Sequence, residues 1–147
     1  MDMSERPRAM GLDIGDKRIG IAISDPLGLT AVGFETIERK NNKVDVRVIK
    51  AIAERHDVRT IVIGLPKNMN GTIGYQAEKV RDFGVKLARV TGLAVVYEDE
   101  RLTTVSAIRT LTVQGVRTGE NRELVDMQAA AIILQKFLDS ESRPPGA

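Results

Sequence analysis

The stretch GLDIGDKRIG, residues 11–20, decides how the rest of the chain is read. Two apolar runs, Arg8–Ile14 and Lys17–Ser24, are separated by a Gly-Asp step, the pattern of an antiparallel hairpin. Asp13 stands between Leu12 and Ile14 inside the first run, where a carboxylate is expensive to bury unless it is paired or bound to a cation. The simpler account is that Asp13 is a turn residue ahead of Gly15, and both readings stand at this point. Gly11, Gly15 and Gly20 would leave room for a ligand beside the backbone.

Moving outward, Ala31–Ile37 reads as a third strand. Val44, Val48, Ile49 and Ile52 recur at helical spacing and lead into TIVIG, residues 60–64, a short unbroken apolar run of the kind buried on both faces of a sheet. Ala77, Val80, Gly84, Leu87 and Thr91 repeat the helical period up to the stop signal Gly92, and LAVVY, residues 93–97, reads as another strand buried on both faces. Two helices follow: Thr103–Val113, with Val105, Ile108 and Leu111 as its apolar positions, and Arg122–Leu138, with Val125, Ala129, Ile132, Ile133 and Phe137. The order β-β-β-α-β-α-β-α-α predicts an α/β fold, a mixed five-stranded sheet with helices on both faces and parallel strands joined by helical crossovers. That is the order of elements in ribonuclease H-like domains.

The chain has 147 residues, enough to bury one core, and the body 8–139 is expected to form a single domain between polar tails at 1–7 and 140–147. Aromatic residues make up 3%, so the core must be aliphatic. A formal charge of +2 neither demands nor excludes a polyanionic partner, so any nucleic-acid footprint has to be local. The absence of cysteine removes disulfides, thiolate metal sites and thiol nucleophiles. With no apolar run near the roughly 20 residues that span a bilayer, and a polar start, the expected location is the cytoplasm, away from membranes.

Two further acidic signatures accompany Asp13. The segment EDERLTT, residues 98–104, follows the LAVVY strand, at the carboxyl end where α/β sheets place ligand crevices. The residues alone leave open which of Glu98, Asp99 and Glu100 turns inward, and capping of the next helix by Thr103 or Thr104 is an alternative. Asp126 lies near the start of the last helix, with Ala129 and Ala130 on its face, small enough to bring that helix close to the sheet. An isolated Asp favoured by the helix dipole is the plainer explanation. The loop GLPKNMNGT, residues 64–72, lacks the Gly-Lys-Ser/Thr ending of a phosphate-binding P-loop, yet its position sets Lys67, Asn68 and Asn70 beside the proposed carboxylates. His56, the single histidine, reads as a helix-end surface residue, and Arg101, Arg117 and Arg122 flank the later motifs.

Taken together and in this order, GLDIGDKRIG, GLPKNMNGT, DERLTT and DMQAAAIILQ resemble the YqgF (RuvX) family of ribonuclease H-like proteins, over Met10 to Leu138. The resemblance implies a bacterial cytoplasmic nuclease, an ester-bond hydrolase maturing the 5′ end of pre-16S rRNA in ribosome biogenesis and related in fold to Holliday-junction resolvases. It makes Asp13, Glu100 and Asp126 the candidate catalytic and metal-binding residues. The chain departs from the family pattern in Met127, where a Lys is common, and in Asp16, where a small hydroxyl residue is common.

Phosphodiester cleavage must stabilise an attacking and a leaving oxygen, which two divalent ions about 4 Å apart do symmetrically, and magnesium or manganese suits carboxylate oxygens. The expectation is that Asp13 bridges two such ions while Glu100 and Asp126 each hold one, with Lys17, Lys67, Asn68, Asn70 and Arg101 contacting the substrate. Pre-rRNA, branched DNA and a ribosomal particle are the expected partners, as monomer or homodimer. Rival readings are a branched-DNA resolvase, a non-catalytic RNA-binding assembly factor, and an ATP-dependent phosphotransferase, for which one domain is too few. A strand two places from that of Asp13 lies about 9–10 Å away, so the segment bearing Glu100 must fold back across the end of the TIVIG strand.

Overall fold

The first three strands form by hairpin chemistry alone. In the computed structural model, which describes residues 7–66 and 74–141, β1 (Arg8–Ile14) pairs antiparallel with β2 (Arg18–Ser24), opposing Asp13 to Gly20 and Gly11 to Ala22. A second hairpin brings β3 (Ala31–Glu38) onto β2, its turn held by Asp25, whose Oδ1 accepts the Leu29 and Thr30 backbone N–H groups. Helix α1 (Asn42–Arg55) starts at an Asn41 side chain that accepts the Val44 N–H at 2.9 Å, a standard N-cap. It returns the chain to β4 (Val58–Leu65), which runs parallel to β1. Helix α2 (Tyr75–Thr91) stops at Gly92, which takes the left-handed conformation (φ 72°) that glycine adopts without penalty. Parallel to β4 lies β5 (Ala94–Asp99), followed by α3 (Thr103–Val113), a 3-10 turn at Thr118–Glu120, and α4 (Arg122–Glu141).

The five-stranded sheet has the order β3-β2-β1-β4-β5. The predicted α/β architecture and element order are the observed ones, and α4 runs three residues past the expected end at Leu138. Alternation along the strands sorts the side chains into two layers. Met10, Leu12, Ile19, Ile21, Ile61 and Ile63 point to one face and pack against Ile49, Ile52, Phe83 and Leu87 of α1 and α2. Ala9, Ala22 and Val62 point to the other face, against Ala130, Ile133 and Leu134 of α4. Helix α3 does not lie on the sheet core; Ala107 and Leu111 pack on Val125 and Ala129 of α4.

Three expectations about burial are corrected. The LAVVY strand is only partly buried: at the sheet's edge among the described residues, the helices give Val95 and Val96 partial cover on opposite faces, and Tyr97 is exposed. Val48 is exposed, since α1 presents Val46, Ile49, Ile52 and Ala53 to the sheet instead. Val105 and Ile108 are exposed, because among the described residues α3 packs on α4 and the following 3-10 turn rather than on the sheet.

Candidate active site

The route from sequence to site runs through three glycines that lie on adjacent strands and face α4. A Cβ on Gly20 would sit 2.1 Å from the Asp126 carbonyl oxygen, one on Gly11 would sit 2.7 Å from that of Ala130, and one on Gly33 would sit 3.2 Å from the Met127 Cβ. Contrary to what the hairpin alone suggests, Gly11 and Gly20 therefore leave no room for a ligand; the space they open is filled by the last helix. Of the alanine pair expected to bring this helix close to the sheet, Ala130 completes the approach from the helix side, whereas Ala129 is buried against Ala107 and Leu111 of α3. Hydrogen bonds fasten α4 at β3 and at β5: the Ala31 N–H donates to Gln135 Oε1 at 2.9 Å, and Lys136 Nζ to the Asp99 carbonyl at 3.1 Å.

Asp13 shares the α4 face with Gly11, two residues before it. Glu100 reaches it by the fold-back that the strand spacing requires. The Glu100 N–H donates to the Leu65 carbonyl at 3.3 Å, which lays the segment over the end of β4, and the Thr103 N–H closes the turn on the Glu100 carbonyl at 3.0 Å. Leu102 sits at φ 64° in this turn, a left-handed conformation that a branched side chain adopts only when its surroundings impose it. Gly64 provides the space, since a Cβ there would stand 2.8 Å from Glu100 Oε2. Of the three acidic neighbours, Glu100 is thus the one turned to Asp13. Asp99 faces away, with Oδ2 accepting from Arg101 Nη2 at 2.8 Å.

Asp13 and Glu100 are hydrogen-bonded to each other, with Glu100 the donor. Burial, the negative charge of Asp13 and that hydrogen bond push the Glu100 carboxyl up to about 9. Burial also raises Asp13, Glu100's hydrogen bond works against the rise, and the charge of Asp126 adds to it, so the third carboxylate is within electrostatic reach. Asp126 itself accepts a 2.6 Å hydrogen bond from Arg18 Nε. This charged hydrogen bond, together with the charge of Asp126, raises the guanidinium above its ordinary value.

Arg18 is the residue that the sequence reading missed. Its signal was present in the hairpin register: Arg18 lies two residues from Gly20, the partner of Asp13, on the same face of β2. Lys17, expected to touch substrate, lines a cleft of about 290 Å³ together with Asp13, Gly15, Arg18, Arg122 and Asp126. Arg101, also expected there, is committed to Asp99. Lys67, Asn68 and Asn70 lie outside the described residues. His56 forms the end of α1 and meets the Phe34 ring edge-on at 4.8 Å, in keeping with a role outside the chemistry.

Among the described residues, no three acidic or histidine side chains already surround one point as a metal cage. The donor chemistry nevertheless fits a hard divalent cation. Two carboxylates are held together by a proton where a cation would satisfy both, and a third is within reach once Arg18 releases it.

Comparison with known proteins agrees with this construction. Residues 7–140 match the profile of the RuvX family, described as Holliday junction resolvase. A protein of Clostridioides difficile is 51% identical over 132 residues, covering 90% of this chain and 94% of its own length, and one of Clostridium botulinum is 49% identical over 136 residues, covering 92% and 99%. Both are provisionally named pre-16S rRNA nucleases. Among solved structures, T. thermophilus RuvC in complex with Holliday junction substrate superposes with a TM-score of 0.61 at 13% identity, covering 92% of this chain and 96% of that one. The fowlpox virus resolvase with its junction DNA superposes at 0.59, also at 13% identity, covering 92% and 99%. The fold is thus the ribonuclease H-like fold of those resolvases, and by the match along nearly its whole length the chain belongs to the RuvX family.

Proposed function

We propose that this chain, a hydrolase of nucleic-acid ester bonds by family and fold, cleaves structured RNA with divalent metal and trims the 5′ end of pre-16S rRNA. The observation that carries the metal-dependent part is the Asp13–Glu100 pair, two carboxylates joined by a proton at the carboxyl end of the sheet with Asp126 beside them. The choice of RNA is supported by the names of relatives sharing about half of the sequence over nine-tenths of it.

Asp13, Glu100 and Asp126 would hold magnesium or manganese, two ions in the full arrangement. Bound there, such ions supply charge stabilisation for the attacking and leaving oxygens of a phosphodiester. The chain's own groups do the rest. Glu100 gives up its carboxyl proton as the site fills. Arg18 exchanges Asp126 for a phosphate oxygen, which matches its forked donors well. Lys17 and Arg122, on the rim of the cleft, orient the backbone on either side of the scissile bond.

The test offers an RNA carrying the pre-16S 5′ flank and a four-way DNA junction to the protein, with magnesium or with chelator. The RNA should be cut only with metal, and Asp13→Asn should slow cleavage by about a thousand-fold. Cleavage unchanged in that variant would overturn the metal site. Cutting of the junction alone, by a symmetric pair of subunits, would replace the RNA reading with that of a resolvase.

A further inference from the structure

Beyond the cleft, a groove of about 520 Å³ runs between α1 and α2, on the opposite face of the sheet from α4. Its walls carry Lys43 and Arg47 from α1 and Lys86 and Arg89 from α2; Val46 and Val90 form its apolar part, and among the described residues no acidic side chain lines it. All four basic residues are exposed, and none is in an ion pair among the described residues. In each pair the cations are helical neighbours, four residues apart in α1 and three in α2, a spacing at which like charges repel. Four such unneutralised charges stand together in a chain whose formal charge is only +2. A polyanion seated in the groove would neutralise them.

The groove also adjoins the candidate active site. Asn42, which lines the groove, accepts from Arg39 Nη2 at 2.7 Å, and Arg39 Nη1 donates to the Gly15 carbonyl at 3.0 Å. Gly15 lies in the hairpin that walls the cleft containing Asp13 and Asp126. Arg39 is fixed further by Asp45 and by the Phe83 ring 5.2 Å beneath it, so this bridge is rigid. We infer that the α1–α2 groove is a phosphate-backbone track: it binds the stretch of the nucleic-acid strand flanking the bond placed in the cleft. The flexible lysines and arginines there contact phosphates, and the track is indifferent to base sequence.

The inference takes its substrate class from the nuclease reading, and the experiment separates the two. The full chain, in chelator so that nothing is cut, is titrated with a labelled 30-nucleotide RNA across a range of salt. Lys43→Glu with Arg47→Glu, or Lys86→Glu with Arg89→Glu, should weaken binding about ten-fold near 0.1 M salt and flatten the log–log salt slope by about 1.4, two single-strand phosphate contacts. The charge-keeping pair Lys43→Arg and Lys86→Arg should bind as the parent does. If a reversal pair fails to fold, the corresponding Gln pair should show a smaller change in the same direction. With magnesium restored, the variants should cut the 30-nucleotide RNA more slowly but an octamer confined to the cleft at the parental rate. An unchanged affinity and slope would overturn the track, as would a polyglutamate peptide binding through these residues while RNA does not. RNA bound through the groove but never cut would leave the track standing and remove the nuclease reading.

Discussion

Glu100 carries a proton that its unfolded counterpart loses near 4.5, and folding lifts that value to about 9. Between those limits the folded state binds more protons than the unfolded state, so stability falls as pH rises. In chelator, the contribution of this carboxyl should be fully present below about 4.5 and lost progressively up to about 9, with a slope no steeper than about 1.4 kcal/mol per pH unit. Glu100→Gln keeps the hydrogen bond to Asp13 without a titrating group, and it should flatten urea-denaturation midpoints measured from pH 5 to 9. A variant whose pH profile overlays the parent's would mean that no proton is held between the two carboxylates. Magnesium should also release close to one proton per site at pH 7, read by calorimetry in buffers of different ionisation enthalpy. Arg18 supplies the complementary test. Arg18→Gln leaves Asp126 without its 2.6 Å partner, and magnesium affinity should rise several-fold, because a fixed positive charge has been removed from the site. Weaker magnesium binding in that variant would show that Arg18 instead builds the metal site.

At the scale of elements, the approach of α4 to the hairpin governs the site. Gly20→Ala drives a Cβ to 2.1 Å from main chain that cannot move aside, and should cost about 3 kcal/mol in urea denaturation. Gly33→Ala meets the Met127 Cβ at 3.2 Å, a contact that a shift of a few tenths of an ångström relieves, and should cost about 1 kcal/mol. Equal costs would mean that α4 is free to shift over the sheet. Much of this architecture is legible in the sequence. The Gly-Asp step marks the β1–β2 hairpin, Gly92 marks the end of α2, and the alanines after Asp126 mark a helix that lies close to its support. What is not legible depends on neighbours. LAVVY has the composition of a buried strand, and nothing local says that β5 stands at the edge of the described sheet. The apolar residues of α3 keep a helical period, yet the helix they face covers only Ala107 and Leu111. Gly11 and Gly20 look like space for a ligand until the last helix is placed on them. Arg18 and Asp126 are 108 residues apart, and only the pairing of β1 with β2 and the packing of α4 bring them together.

Across the whole molecule, the two faces of the sheet divide the labour. The α1–α2 side holds the large side chains, Phe83, Ile49, Ile61 and Leu87 among them, whereas the α4 side is built from glycine, alanine and a few branched residues. Phe83→Ala should therefore cost roughly 3–5 kcal/mol in global stability and leave the magnesium affinity of the folded protein nearly unchanged. Ala130→Leu on the other face should cost about 1–3 kcal/mol by overpacking and lower magnesium affinity more than ten-fold, because it lifts the helix that carries Asp126. Isothermal titration beside urea denaturation separates the two outcomes, and parallel losses in both variants would contradict the division. The main-chain contact of Gly20 with Asp126 has a further consequence. The spacing between the first and last carboxylates is gauged by two backbones in direct touch, a ruler with no side chain in it. Such a ruler cannot be shortened by any substitution, and a larger residue at Gly20 can only lengthen it.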